Sequence, residues 1–169
     1  MFQICPGFVH LGMMAKAHYA HGGGVNYLCL PRDPDEPENK QAGHQSGAYI
    51  YGVEYQTSAT PNFFRELHDQ DAPCAVCEAE TRSQQLMVPA KNTCPEGWTL
   101  EYDGVLASHH SGHKGSDFVC LANSAKAAND SNAANQDGGL LYVTEVQCGS
   151  LKCPPYTAGA ELTCAVCTK

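Results

Sequence analysis

Apolar residues in this chain fall in short clusters rather than at helical spacing. Residues 26–30 read Asn-Tyr-Leu-Cys-Leu and residues 48–55 read Ala-Tyr-Ile-Tyr-Gly-Val-Glu-Tyr. Residues 85–88, 98–102, 117–121 and 140–146 form four more clusters of the same kind. Their lengths and their Val, Ile, Tyr and Phe content predict strands. Gly and Pro clusters between them predict turns. Residues 62–68 (Asn-Phe-Phe-Arg-Glu-Leu-His) are the one helical candidate, a turn or two long.

The clusters come in two matching sets. Residues 5–77 run from Cys-Pro through Leu-Cys-Leu to Ala-Pro-Cys-Ala-Val-Cys, and residues 94–167 run from Cys-Pro through Val-Cys-Leu to Leu-Thr-Cys-Ala-Val-Cys. The segment from Gly47 to Gln56 corresponds to the segment from Gly138 to Gln147. Such registration predicts an internal repeat. The expected fold is mainly β, with two pseudo-twofold-related, disulfide-clipped repeats (1–80 and 81–169) packed as one compact domain. Two polar loops occupy the same place in the repeats: residues 32–40, rich in Asp and Glu, and residues 122–137, rich in Ala, Asn and Asp. Long loops in compact domains are often functional, and solvated insertions are the plain alternative.

Composition narrows the class. Each repeat is small enough to need staples, and the chain has ten cysteines in 169 residues. That density predicts an oxidising, extracellular compartment and secretion. Met1 opens no recognisable signal peptide, which a mature or recombinant chain would explain. No apolar run approaches the ~18–20 residues that span a bilayer, so membrane insertion is not expected. The net charge of −8, with ten scattered basic residues, argues against nucleic acid. Asn129-Asp130-Ser131 fits a glycosylation acceptor, as suits a secreted surface loop.

Four cysteines correspond across the repeats: Cys5 with Cys94, Cys29 with Cys120, Cys74 with Cys164, and Cys77 with Cys167. Cys148 and Cys153 occur in the second repeat alone and most simply bond to each other. The two Cys-x-x-Cys motifs admit zinc or redox readings. Their strand-like contexts and the 86 residues between them favour structural disulfides.

Pro73-Cys-Ala-Val-Cys77, Ser83-Gln84, Pro89 and Cys94-Pro-Glu-Gly-Trp98 together resemble the junction between the halves of the type IV collagen C-terminal non-collagenous domain. The ending Cys164-Ala-Val-Cys-Thr-Lys169 resembles that domain's C-terminus. The terminal domains of invertebrate short-chain, spongin-like collagens are a nearer likeness, through Ala17-His-Tyr-Ala-His21 and Val25-Asn-Tyr-Leu-Cys-Leu30. The resemblance implies the bridges Cys5–Cys77, Cys29–Cys74, Cys94–Cys167, Cys120–Cys164 and Cys148–Cys153. Thr57 stands where Cys148 lies, so the short bridge is absent from the first repeat. There is no Gly-X-Y tract, and collagen-type trimer assembly does not carry over. Some stand-alone chains of this size and type from sea anemones are calcium-dependent, galactose-specific lectins. The likeness therefore implies a secreted lectin for galactose-containing glycans with Ca2+ as cofactor. A matrix assembly module without sugar binding is the alternative.

Calcium takes about 6–8 oxygen ligands, which points to Asp33, Asp35, Glu36, Glu38 and Asn39 on the first loop and to Asp130 and Asp137 on the second. Glu36-Pro37-Glu38-Asn39 loosely resembles the C-type lectin Glu-Pro-Asn triplet. Gln136-Asp137-Gly138 partly resembles the galactose-type Gln-Pro-Asp triplet, which makes Gln136 a sugar-contact candidate. Histidines form the other cluster: His18 and His21 in one repeat, His109, His110 and His113 in the other. Imidazoles hydrogen-bond sugar hydroxyls, offer a flat ring to the apolar face of galactose, and also bind transition metals. His18 matches His109 when the repeats are aligned on Cys29 and Cys120. Glu54 and Glu145 share a repeat position and suggest pairing with a buried donor. Trp98 and its counterpart Phe8 read as core, and Tyr51, Tyr55 and Tyr142 as the tyrosines available for stacking. No nucleophile turn and no carboxylate spacing supports catalysis. The expected role is binding, with a homodimer presenting several weak sites.

Overall fold

The structure, a computed structural model, describes residues 7–45, 47–60 and 62–169. It is mainly β, as the clusters predict. Among the described residues, nine strands form one sheet: β1 Phe8–Lys16, β2 Leu28–Pro31, β3 Tyr51–Tyr55, β4 Pro73–Cys77, β5 Gln85–Pro89, β6 Thr99–Ser108, β7 Val119–Ala122, β8 Gly139–Val143 and β9 Thr163–Thr168. The helical candidate at 62–68 is reduced to a single 3-10 turn at Arg65–Leu67.

The longest strands are the least legible ones. β1 (Phe-Val-His-Leu-Gly-Met-Met-Ala-Lys) has no clean alternation, and β6 continues to Ser108, well past the predicted segment. Each is the hub of its half. β1 pairs with β2, β3 and β4, and β6 pairs with β7, β8 and β9. A hub strand has partners on both edges, so its sequence answers to packing more than to a solvent-facing period.

The hubs correspond residue by residue. Gly12 pairs with Pro31 and Cys74, as Gly104 pairs with Ala122 and Cys164. Both hubs carry an irregularity just upstream, between Phe8 and His10 and between Leu100 and Tyr102. A Cβ on Gly12 would lie 2.0 Å from the Leu30 carbonyl oxygen, and one on Gly104 would lie 1.9 Å from that of Leu121. Only glycine admits the backbone approach that seats the Leu-Cys-Leu and Val-Cys-Leu strands.

The halves join through the parallel pair β3–β8, where Val53 lies beside Gly139. If rotation about an axis along the strands were the whole relation, Val53 would face its repeat counterpart Thr144, five residues further on. The expected pseudo-twofold is therefore not realised at the seam; the halves are staggered along it. Val53, Tyr55, Leu67 and Ala72 pack with Val105, Ala107, Leu121 and Leu141 in a core shared by both halves. A smaller core of Leu106, Cys120, Cys164 and Val166 belongs to the second half alone. Trp98, expected in the core, is half-buried and belongs to neither cluster.

Four of the implied bridges are present: Cys29–Cys74, Cys94–Cys167, Cys120–Cys164 and Cys148–Cys153. Cys77 is also disulfide-bonded; its implied partner Cys5 lies outside the described residues. Thr57, at the position of Cys148, is buried and donates its hydroxyl hydrogen to the Phe64 carbonyl at 2.8 Å. A hydrogen bond thus closes in the first half the loop that a disulfide clips in the second.

Gly104→Ala is expected to cost more than about 3 kcal/mol in urea unfolding, because the clash is with backbone. Gly115→Ala, where a Cβ meets nothing within 4 Å, is expected to change stability by less than about 1 kcal/mol. Equal effects would show that the close approach at Gly104 is not what glycine provides.

Candidate functional site

β1 and β6 each lead into the same turn. The first is His18-Tyr19-Ala20-His21 and the second is His110-Ser111-Gly112-His113. In each, the first histidine's Nδ1 accepts the N–H two residues on, from Ala20 and from Gly112, both at 3.1 Å. In each, the second histidine's N–H donates to the first one's carbonyl, at 3.2 and 2.9 Å. These local bonds favour the turn over further strand. An accepting Nδ1 also leaves the neutral ring's proton on Nε2.

Each leading histidine meets a tyrosine from the neighbouring strand. His18 lies edge-on to Tyr51 of β3 at 5.1 Å between centroids, and His110 lies edge-on to Tyr142 of β8 at 5.2 Å. Tyr51 pairs with Lys16 on β1 and Tyr142 with Ser108 on β6. The counterpart of His18 is therefore His110, not His109 as the cysteine alignment has it. Strand pairing fixes the register upstream of the turn, and the connection from turn to next strand is one residue shorter in the second half.

The two turns interlock across the seam. Tyr19 donates its N–H to the Gly138 carbonyl at 3.1 Å, and Lys114 donates its N–H to the Tyr19 carbonyl at 3.0 Å. The Tyr19 ring stacks on His18 at 4.5 Å and lies 4.4 Å from His113. His21 closes on His18 at 4.6 Å, and His113 lies 5.6 Å from Tyr142. Four of the sequence-chosen histidines thus join three tyrosines in one patch drawn from both halves. A cavity of about 210 Å³ beside it is lined by Lys16, His18, His21, residues 22–24, His109 and Lys114.

His109 has a different job. Its Nε2 receives the Leu140 N–H at 3.3 Å and its Nδ1 lies 3.3 Å from the Lys114 carbonyl. One ring nitrogen accepts and the other donates, which is the neutral imidazole. Burial, then the Lys16 ammonium, hold its pKa down to about 4. Burial is also the main cause that lowers His18 and His113.

Lys16 is buried with its ammonium 4.7 Å from the Tyr27 ring centroid and donates to the Ser116 hydroxyl. Burial lowers its pKa to about 8, opposed by Asp117. Its stem fills the space above Gly139, where a Cβ would lie 2.5 Å from Lys16 Cγ.

Glu54, almost fully buried, accepts the N–H groups of Gln136 (2.8 Å) and Asp137 (3.2 Å). The buried donor expected for it is thus the backbone of the other half's loop. Asn135 and Asp137 hold left-handed backbone at φ 46° and 54°, conformations that Asn and Asp tolerate best among non-glycine residues. The Asp137 carboxylate raises the pKa of His18 and His113 against their burial. Glu145, the repeat counterpart of Glu54, is exposed.

Calcium finds no comparable arrangement. Asp33, Asp35, Glu36, Glu38 and Asn39 are all exposed, and Glu36 pairs with Lys40. Asp130 pairs with Arg32 at 3.7 Å. Among the described residues, no group of three or more His, Cys, Asp or Glu side chains is placed to hold a metal ion. As placed, these oxygens do not fit a calcium ion that needs six or more. Gln136 is exposed, and its backbone N–H donates to Glu54.

Tyr19 and Lys16 are the site residues the sequence reading missed. The signal for Tyr19 was the His-x-x-His spacing shared by both turns. Lys16, a lysine ending an apolar strand, has no such signal. No family model matches the chain, and there is no significant match among solved structures.

His109 makes a stability prediction with a definite sign. Its folded pKa lies below the unfolded value of about 6.5, so the unfolded chain binds more protons between the two. The neutral ring's contribution is complete above pH ~6.5 and is lost as pH falls towards about 4. Urea midpoints of the protein should therefore rise with pH over that window, and His109→Gln should flatten the rise. An unchanged slope would assign it to other groups.

Proposed function

We propose that this chain is a carbohydrate-binding protein of the galactose class, and that the ring patch at the seam is where the sugar binds. The supporting observation is the convergence of His18, His21, His110 and His113 with Tyr19, Tyr51 and Tyr142, with the Asp137 charge acting on two of the rings. Galactose has one apolar face of C–H groups and a rim of hydroxyls. Flat rings suit the first, while ring nitrogens, phenol oxygens and a carboxylate suit the second. His113 Nδ1 is buried without a hydrogen-bond partner among the described residues, although His68 Nδ1, outside the patch, is in the same state.

The disulfide-bonded cysteines suit an oxidising compartment, and we read the protein as secreted. No helix among the described residues is long and apolar enough to cross a membrane. We read the protein as a binder rather than an enzyme. His109, the most strongly shifted histidine, spends both nitrogens on backbone, and the leading histidine of each turn spends Nδ1 on its own turn. These rings are built to hold position, as a binding surface requires. The likeness to calcium-dependent lectins suggests an ion bridging sugar and protein, but the acidic loop as placed does not fit one. The proposal therefore has the side chains contact the sugar directly.

The protein should be retained on immobilised galactose and eluted by free galactose. Tyr51→Ala and His18→Ala should each weaken retention at least tenfold, the loss expected of about 1.4 kcal/mol from one ring contact or hydrogen bond. Failure to bind any galactose-bearing matrix, with calcium supplied, overturns the lectin reading. Loss of retention in EDTA, restored by calcium, overturns the direct-contact site and moves recognition to the loop at 33–39.

A further inference from the structure

Asp and Glu outnumber Lys and Arg in this chain, 18 against 10, yet one cavity inverts the balance. The cavity of about 210 Å³ beside the ring patch is lined by Lys16, Lys114, His18, His21 and His109, and otherwise by the uncharged residues 17, 22–25 and 115. No carboxylate lines it among the described residues, and residues 1–6, 46 and 61 include no Asp or Glu. The glycine run at 22–24 contributes backbone alone, and peptide N–H groups are themselves donors that suit anions.

The lysines here are not answered by carboxylates. Lys16 is buried, and its ammonium donates to the Ser116 hydroxyl and lies over the Tyr27 ring. Both partners are neutral. Asp117 acts on Lys16 through its charge, without an ion pair. Burial holds the Lys16 pKa at about 8, so the group is still protonated at neutral pH. A cation withdrawn from water among neutral partners favours the approach of an anion. Lys114 is exposed and forms no ion pair among the described residues.

The imidazoles divide by role. His109 spends both nitrogens on backbone and adds wall rather than a donor. His18 accepts at Nδ1, which makes its neutral ring a donor at Nε2. The cavity thus presents two ammonium groups and a ring N–H, with no carboxylate competing for them. A sugar hydroxyl could accept from the same donors, but it would leave both charges unanswered. An oxyanion answers them, through charge-assisted hydrogen bonds that are stronger than neutral ones.

We infer that this cavity is an anion subsite, and that it takes an acidic substituent, a sulfate ester or a carboxylate, of the glycan whose sugar ring lies on the ring patch. His18 and His21 belong to both surfaces, so one ligand can span them. The anion site stands on the cavity itself, while its assignment to a glycan rests on the sugar reading above. The net charge of −8 sharpens the inference. The field of the whole molecule repels anions, so a preference for an acidic sugar has to come from a local site.

Calorimetric titration of the whole chain at fixed ionic strength compares galactose with the galactose monosulfates and with galacturonic acid. At least one acidic sugar should bind about tenfold or more tightly than galactose, the gain expected of one charge-assisted hydrogen bond. A gain with the sulfates alone marks a sulfate-ester site, and one with galacturonic acid alone a carboxylate site. Lys114→Gln keeps the backbone bonds of that residue; it should remove most of the gain and leave galactose affinity within about twofold. Lys114→Arg, which keeps the charge, should retain the gain. Equal affinities for galactose and all its acidic forms overturn the subsite and leave the sugar reading standing, as does a gain that survives in Lys114→Gln. If galactose itself does not bind, the sugar reading fails and inorganic sulfate tests the cavity alone. Saturable sulfate-induced shifts of the His18 and His21 Cε1–H resonances, weakened about tenfold by Lys114→Gln, would keep the anion site without the glycan. No shift with sulfate would overturn the anion site as well.

Discussion

A carboxylate of the first half is buried against the backbone of the second, and the ring patch depends on that contact. Glu54 leaves water to accept two N–H groups from the loop before β8. A buried charge needs such donors, and a loop with residues in left-handed conformation needs something to hold it. Each supplies what the other lacks. The bond fixes Gln136 and Asp137, and the next residue, Gly138, receives the Tyr19 N–H. Leu140, two residues further, donates to His109. A short run of backbone therefore connects the Glu54 carboxylate to the turns of both halves. Asp137, held by the same contact, acts through its charge on His18 and His113.

The asymmetry of the duplication follows from the stagger at the seam. Because Val53 meets Gly139 rather than Thr144, equivalent residues of the two halves meet different partners. Glu54 reaches the opposite loop while Glu145 faces solvent. The second half gains a private core under β5. The two His-x-x-His turns escape this divergence because each is defined by bonds inside itself and by one tyrosine of its own half. That locality lets two copies of one motif converge on a shared surface.

Much of this was legible in the sequence, and what was not has physical reasons. Strands rich in Val, Tyr and Leu announced themselves, as did the cysteine correspondences and the histidine clusters. β1 did not, because a hub strand paired on both edges has no need of alternation, and its Met-Met-Ala run carries no strand signature. The histidine alignment slipped by one because the cysteines that anchored it lie beyond a connection of unequal length. The acidic residues at 33–39 are close in sequence, which does not fix how their side chains converge in space. In the fold they lie on an exposed loop, and the carboxylate whose charge acts on His18 and His113 is Asp137. Glu54 was placed correctly as a structural acid, but its partner could not be named from sequence, since the bond crosses the seam and rests on a register that no pattern encodes.

If the four turn histidines and their tyrosines bind sugar as one surface, a galactose titration followed by the imidazole Cε1–H resonances of the protein at neutral pH reads it directly. His18, His21, His110 and His113 should then show saturable shifts with a common dissociation constant. His10, His44 and His68, which make no ring contact with the patch, should stay still. Saturable shifts confined to His44, or binding that leaves all four turn histidines unmoved, would contradict it.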